Sequence, residues 1–232
     1  MKDIFLVDAD DTLLDFHGAS ALALKNAFKQ TGIEWKEEYL EQFRIFNASL
    51  WEALERRELT REALMDNRFS WFLPRLGFEQ VDGKAFNERF LHYLATNPIY
   101  IDGAQAFLTA LRKMGRVYIV TNGTAWIQKS RFEIANLYAY ADDTFVSDLI
   151  GINKPAKGYT DYVIAHIDGF EKERAVWVGD SLSADIKAAN DANITSIWYN
   201  PHEKTANGQV LPTHQAKNFD ETLKIIQNLN QA

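Results

Sequence analysis

The sequence predicts an α/β protein: a parallel sheet covered by helices on both faces, with an all-helical block inserted after the first strand. Three observations predict it. Ile4-Phe5-Leu6-Val7 is an unbroken run of bulky or β-branched residues, the mark of a strand buried on both faces. Between residues 18 and 96 the apolar residues recur at helical spacing and nothing reads as a strand. From residue 97 onward strand and helix patterns alternate, as a parallel sheet requires.

Each element has its own signal. Asp15 to Gly18 read as a short connection, and Ala19 to Gln30 as a helix with Leu22, Leu24, Ala27 and Phe28 on its apolar side and Gly32 as its stop. Glu37 to Arg57 form a second helix through Leu40, Phe43, Phe46, Leu50, Trp51 and Leu54. Thr60 is an N-cap for a third, with Glu62 in its first turn, Leu64, Phe69, Trp71 and Phe72 inside and Pro74 near its end. A fourth runs from Asp82 to Ala95 with Phe86, Phe90, Leu91 and Leu94 as its stripe. Thr96-Asn97-Pro98 closes the block.

The alternating part follows. Ala104–Met114 is a helix closed by Gly115, and Val117–Thr121 a strand. Ala125–Asn136 is a helix, Thr144–Ser147 a short strand and Gly158–Ile167 a helix. Ala175–Asp180 is a strand, Ser183–Asn190 a helix and Thr195–Tyr199 a strand. A polar loop with Pro201, Gly208 and Pro212 leads to a last helix, Asp220–Leu229. The expected division is a sheet-bearing core of residues 1–17 and 97–232 and a helical domain of residues 18–96.

Composition narrows the function. A chain of 232 residues with 47% hydrophobic and 25% charged residues is an ordinary globular protein. A net charge of −7 disfavours nucleic acid and anionic membrane surfaces as partners. The absence of cysteine excludes disulfides, thiolate catalysis and cysteine-based zinc sites. The histidines His17, His92, His166, His202 and His214 are scattered without metal-ligand spacing. No apolar run approaches the ~20 residues of a membrane helix and no signal-peptide pattern opens the chain, so cytoplasmic residence is the default expectation. Nothing in the composition sets an oligomeric state.

The chemistry lies at the strand ends. The first strand runs into Asp8, Asp10 and Asp11. At an effective dielectric near 20, two like charges ~4 Å apart repel by about 4 kcal/mol. A hard dication with oxygen ligands relieves that repulsion; a solvated acidic turn is the alternative if this stretch stands alone. Thr121-Asn122-Gly123 end a second strand and Gly179-Asp180 a third, with Asp185 five residues on. Lys154-Pro155 precedes a helix of the same sheet. In an open parallel sheet ligands bind outside the carboxyl ends of the strands, so these pieces converge on one edge.

These residues resemble the haloacid dehalogenase-like superfamily of phosphohydrolases across essentially the whole chain. Its four motifs stand in order as Asp8-Ala9-Asp10-Asp11-Thr12-Leu13, Thr121-Asn122, Lys154-Pro155, and Gly179-Asp180-Ser181-Leu182-Ser183-Ala184-Asp185. The resemblance implies a Rossmann-like core with a mobile four-helix cap. It implies Asp8 as the nucleophile that forms an aspartyl-phosphate, and Asp10 as general acid and then base. It implies Thr121 and the Asn122 backbone as holders of the transferring phosphoryl group, and Lys154 as its counter-charge. It implies Mg2+ as cofactor, bound by Asp8, the Asp10 main-chain carbonyl and Asp180, with Asp185 in or beside that set. The partner implied is a small phosphate monoester.

Within the superfamily, Asp10 favours phosphoryl transfer, because dehalogenase members look different at that position and need no metal. The opening motif, the strand running into Thr121-Asn122-Gly123, and Trp198-Tyr199-Asn200-Pro201 look like the pyrimidine 5′-nucleotidase branch. That likeness implies UMP, dUMP or dTMP as substrates. Phosphoglycolate or a sugar phosphate is the alternative substrate class, and a catalytically silent binding member the alternative role. A response-regulator receiver does not fit, because its acidic pair precedes a separate phosphorylated Asp. Phe16, Phe46 and Trp51 are candidates for stacking on a base, and His17 for touching substrate; at helical spacing each aromatic reads more simply as core.

Overall fold

The computed structural model describes residues 1–206 and 208–231, so residues 207 and 232 of the expected core range lie outside the described set. The chain divides into two compact units. One holds residues 1–16 with the described part of 98–232, and the other is His17–Asn97.

The first unit is built on a six-stranded sheet. Its strands are β1 (Ile4–Val7), β2 (Arg116–Thr121), β3 (Asp143–Val146), β4 (Ala175–Gly179), β5 (Thr195–Tyr199) and β6 (His214–Ala216). Their order is β3-β2-β1-β4-β5-β6, and every pairing is parallel. The expected parallel sheet is therefore present.

β1 sits between β2 and β4, with Val7 opposite Ile119 on one side and Val178 on the other. All four of its residues are fully buried. Their alternation splits them between two cores. Phe5 and Val7 pack with Phe107, Leu108 and Leu111 of α5 (Ala104–Met114), Phe132 of α6 (Ala125–Ile134), and Phe219 and Ile226 of α10 (Phe219–Gln231). Ile4 and Leu6 pack with Tyr159 and Val163 of α8 (Lys157–Ala165) and with Ala188 and Ala189 of α9 (Lys187–Asp191). A strand covered on both faces explains the unbroken apolar run. The strand order also reverses at β1, so the crevice outside its carboxyl end is where such a sheet binds ligands.

The second unit is helical, with α1 (Phe16–Gln30), α2 (Glu37–Glu55), α3 (Arg61–Phe72) and α4 (Gly83–Thr96). Thr60 caps α3 by accepting the Ala63 amide at 3.1 Å, and Asp82 caps α4 by accepting the amides of Lys84 and Ala85. Phe28, Phe43, Phe69, Phe72, Phe86 and Phe90 fill its interior. Gly83 is required by close approach, since a Cβ there would lie 2.4 Å from the Ser70 amide nitrogen.

Several local expectations differ from the structure. α1 begins at Phe16, inside the stretch read as a connection. β3 stops at Val146, and Ser147 instead opens a one-turn helix, α7 (Ser147–Ile150). The helix expected over Ser183–Asn190 is a π-helical turn, Leu182–Ile186, followed by α9. β6 lies in what reads as polar loop. Leu22 and Trp71, expected inside, are 46% and 40% exposed. Among the described residues no helix is long and apolar enough to cross a membrane.

Candidate active site

The site is built where β1, β2 and β4 end. The Asp8 amide donates to Val178 O at 2.9 Å, so this residue is still held by the sheet after β1 stops. Beyond it the chain doubles back. Asp11 takes a left-handed φ of 58°, its amide donates to Leu14 O, and the amides of Leu13 and Leu14 both donate to Ala9 O. That tight return holds Asp8 and Asp10 on one short loop. Thr12, fully buried, donates its hydroxyl to Asp8 Oδ2 at 3.1 Å.

Lys154 reaches the same place from the loop before α8. Both its main-chain groups are pinned by the Asn122 side chain, whose Oδ1 accepts the Lys154 amide at 2.8 Å and whose Nδ2 donates to Lys154 O at 3.0 Å. Its ammonium, with the side chain 2% exposed, donates to Asp8 Oδ1 at 2.6 Å, Asp185 Oδ1 at 2.7 Å and Val120 O at 2.9 Å. Asp185 comes from the π-helical turn. It also accepts from Trp177 Nε1 and from the Ser181 amide, each at 3.3 Å. Gly179 makes room for it, because a Cβ at that position would lie 2.3 Å from Asp185 Cγ. Asp180 completes the cluster. Asp8, Asp180 and Asp185 each offer a carboxylate oxygen, and these oxygens lie within 4.8 Å of one another.

The electrostatics follow from burial. Desolvation and the neighbouring Asp185 carboxylate push Asp8 up to about 8, against the pull of Lys154. Desolvation and the carboxylates of Asp8, Asp11 and Asp185 raise Asp180 well above its ordinary value. Burial alone would lower Lys154, but Asp185 and Asp8 outweigh it and raise its pKa, holding the ammonium charged. Three carboxylates thus share one cation, so two negative charges would stand unbalanced in a buried place were all three ionised. Hard oxygen donors with that residual charge fit a hard divalent cation.

Asp10 stands beside the cluster, its side chain 26% exposed. It is held by two residues that the motifs do not contain. Gln128 Nε2 donates to Asp10 Oδ2 at 2.8 Å, and the buried Arg131 guanidinium ion-pairs with Asp10 Oδ1. Gln128 Nε2 also donates to Thr121 Oγ1 at 2.9 Å. The structure thus gathers Asp8, Lys154, Asp180 and Asp185 into one cluster and joins Asp10 to Thr121 through Gln128. Gln128, Arg131 and Trp177 touch this candidate site and were missed by sequence reasoning, which quoted Thr12 within the first motif but gave it no role. A signal existed for the first two: they are polar and three apart on a helix whose Ile127 and Phe132 are buried.

The other candidates lie in helical segments. Phe46 is buried, stacked on Phe72 at 5.4 Å and lying under the Arg75 guanidinium at 4.5 Å. Trp51 lies under Arg61 at 5.7 Å. Both belong to the helical unit. Phe16 and His17 form the start of α1.

Residues 2–193 match the family described as haloacid dehalogenase-like hydrolase. Over 221 residues the chain is 35% identical to the HAD-hydrolase YfnB of Bacillus subtilis, covering 95% of this chain and 94% of that one. The crystal structure of YfnB bound to magnesium superposes with a TM-score of 0.91 at 34% identity, over 97% of this chain and 98% of that one. The pyrimidine 5′-nucleotidase PynA of Streptococcus pneumoniae is 33% identical over 94% of this chain and 92% of its own length. The pyrimidine 5′-nucleotidase YjjG of Escherichia coli is 28% identical over 97% of each.

Proposed function

The chain belongs to the haloacid dehalogenase-like hydrolase family and is a phosphatase of that family, and on that premise we propose that it is a Mg2+-dependent hydrolase of pyrimidine nucleoside 5′-monophosphates. The observation that carries the reaction is the buried cluster of Asp8, Asp180 and Asp185 around a single Lys154 ammonium. The likeness to the two pyrimidine 5′-nucleotidases, PynA and YjjG, supports the substrate class. Such nucleotides are intracellular metabolites, so this reading puts the enzyme in the cytoplasm.

In the proposed reaction Asp8 attacks phosphorus, the bond from phosphorus to the ester oxygen breaks, and the leaving alkoxide takes a proton from Asp10, which enters this step in its carboxylic acid form. Water then attacks the aspartyl-phosphate and gives its proton back to Asp10. The phosphorus–Asp8 bond breaks, releasing inorganic phosphate. A carboxylate and a phosphate dianion repel each other, and the Lys154 ammonium beside Asp8 offsets part of that repulsion. Asp8, Asp180, Asp185 and the Asp10 main-chain carbonyl would hold Mg2+, whose positive charge supplies the rest. Thr121 Oγ1 already accepts from Gln128 Nε2 and from the Gly123 amide at 3.0 Å. Its own proton is therefore left to donate to a phosphoryl oxygen. The four helices of residues 17–97 serve as the specificity cap in this reading.

The test is phosphate release from UMP, dUMP, dTMP, AMP, GMP, phosphoglycolate and sugar phosphates, with Mg2+ and with EDTA. Metal-dependent release concentrated on the pyrimidine nucleotides is the expected result. Release concentrated on sugar phosphates or phosphoglycolate overturns the substrate class. No release from any ester with metal present overturns the reaction.

A further inference from the structure

Arg131 and Gln128 have no place in the four motifs, yet they make the closest polar contacts to Asp10. Arg131 is 1% exposed, so its guanidinium lies well out of solvent. It pairs with Asp10 Oδ1 and donates through the same nitrogen to Gln128 Oε1 at 2.8 Å. Its Nε and Nη2 are buried with no partner among the described residues. The nitrogen that does find partners is aimed at the loop that bears the nucleophile.

Gln128 is oriented by the same network. With Oε1 accepting from Arg131, its Nε2 must face Asp10 Oδ2 and Thr121 Oγ1. The reversed amide would set an oxygen against a carboxylate. The neighbouring turn is shaped for it, because a Cβ on Gly123 would lie 2.4 Å from Gln128 Cγ. Each carboxylate oxygen of Asp10 therefore receives a donor, which fixes the carboxylate plane. One amide nitrogen ties that carboxylate to the hydroxyl that faces the phosphoryl group.

We propose that Gln128 and Arg131 are positioning residues for the proton-transferring group: they lock the Asp10 carboxylate in one plane and set it against the Thr121 hydroxyl. The inference rests on the phosphatase mechanism proposed above. Its consequence depends on the leaving group. An alkoxide must be protonated as it departs, whereas p-nitrophenolate leaves without help. Misplacing Asp10 therefore slows formation of the aspartyl-phosphate from an alkyl ester but not from the aryl ester. Hydrolysis of the aspartyl-phosphate, where Asp10 takes a proton from water, slows for both.

The experiment compares the full chain with Arg131→Met, Arg131→Lys and Gln128→Leu, with Mg2+ present. The substrates are p-nitrophenyl phosphate and whichever alkyl phosphate the unmodified chain hydrolyses fastest. Arg131→Met is expected to lower kcat/KM for the alkyl ester by about 100-fold, the low end for a general acid, and for p-nitrophenyl phosphate by less than about 5-fold. Its kcat on p-nitrophenyl phosphate falls, and a burst of one nitrophenolate per enzyme precedes the slow steady state. Arg131→Lys recovers part of the alkyl-ester loss. Gln128→Leu, which keeps the ion pair and removes the amide, shows the same leaving-group pattern if Arg131→Met does not fold. An equal fall on both esters, or no fall, overturns the positioning role. Failure of the unmodified chain on both esters overturns the phosphatase reading itself, which is a different result.

Discussion

Lys154 Nζ stands 2.6 Å from Asp8 Oδ1, and the same nitrogen reaches Asp185 Oδ1 at 2.7 Å. One buried ammonium thus neutralises part of two buried carboxylates. Lys154→Met leaves both without a cation. Breaking a buried pair by removing one partner costs about 3–5 kcal/mol, so urea unfolding in EDTA should move to lower denaturant. Mg2+ should recover part of that loss, because it supplies charge to the same oxygens. Phosphate release should fall by about 100-fold or more. A variant as stable as the parent in EDTA would show that Lys154 is not the counter-charge.

The same crowding predicts a pH dependence. Asp8 is raised from an ordinary 3.8 to about 8 by burial and by Asp185. Below the ordinary value Asp8 is protonated in folded and unfolded chains alike, and its contribution to stability is fully present. Between the two values the folded chain keeps a proton that the unfolded chain has released, so metal-free stability falls as pH rises through that window. Urea midpoints in EDTA across this range should slope downward, and Mg2+ should flatten the slope. Asp8→Asn should also flatten it while abolishing turnover. Retained turnover in Asp8→Asn would remove Asp8 as nucleophile.

The chain's sequence carried the sheet and its carboxyl edge because the responsible residues are extreme. Ile4 to Val7 must be apolar at every position to sit between two helical layers, and Asp8 and Asp180 each follow directly on a fully buried strand, where a carboxylate stands out. What stayed hidden is short or contextual. His214–Ala216 is a strand only because β5 offers a parallel edge, and three residues carry no periodicity. Ser147–Ile150 is one turn long, below the length at which helical pattern emerges. Gln128 and Arg131 share the buried face of α6 with Ile127 and Phe132, which marks them as unusual, but only the arrival of Asp10 from 118 and 121 positions away gives them a role. Phe46 reads more simply as core than as a base-stacking residue, and it is buried, but an aromatic in a helix pattern does not reveal its neighbours, which here are Phe72 and Arg75.

Gly179 offers a test that touches no charged group. Its Cβ would fall 2.3 Å from Asp185 Cγ, too close for any native contact. Gly179→Ala must push Asp185 out of reach of Lys154 Nζ or move the end of β4. Either change loosens the three-carboxylate cluster. The Mg2+ concentration that gives half-maximal phosphate release should rise by about 10-fold, the lower range for disturbing groups that orient metal ligands. KM for the ester, measured at saturating Mg2+, should change less. Unaltered Mg2+ dependence would place Asp185 outside the metal set.

Asp10 divides its proposed duties between main chain and side chain, and Asp10→Asn separates them. If its metal ligand is the carbonyl, the substitution leaves that oxygen where the tight return after Asp8 holds it. Mg2+ binding by calorimetry should then stay within a few-fold of the parent. Proton transfer should not survive, because an amide neither gives up nor takes the proton. Turnover of alkyl esters should fall by about 100-fold or more, the span typical of general acid–base catalysis. Stability should fall as well, since the buried Arg131 loses the anion it faces. Restoring a carboxylate of the wrong length with Asp10→Glu should recover the ion pair more than the rate, because the grip of Gln128 and Arg131 is set for the shorter side chain. Complete loss of Mg2+ affinity in Asp10→Asn would mean that the side chain, not the carbonyl, binds the metal.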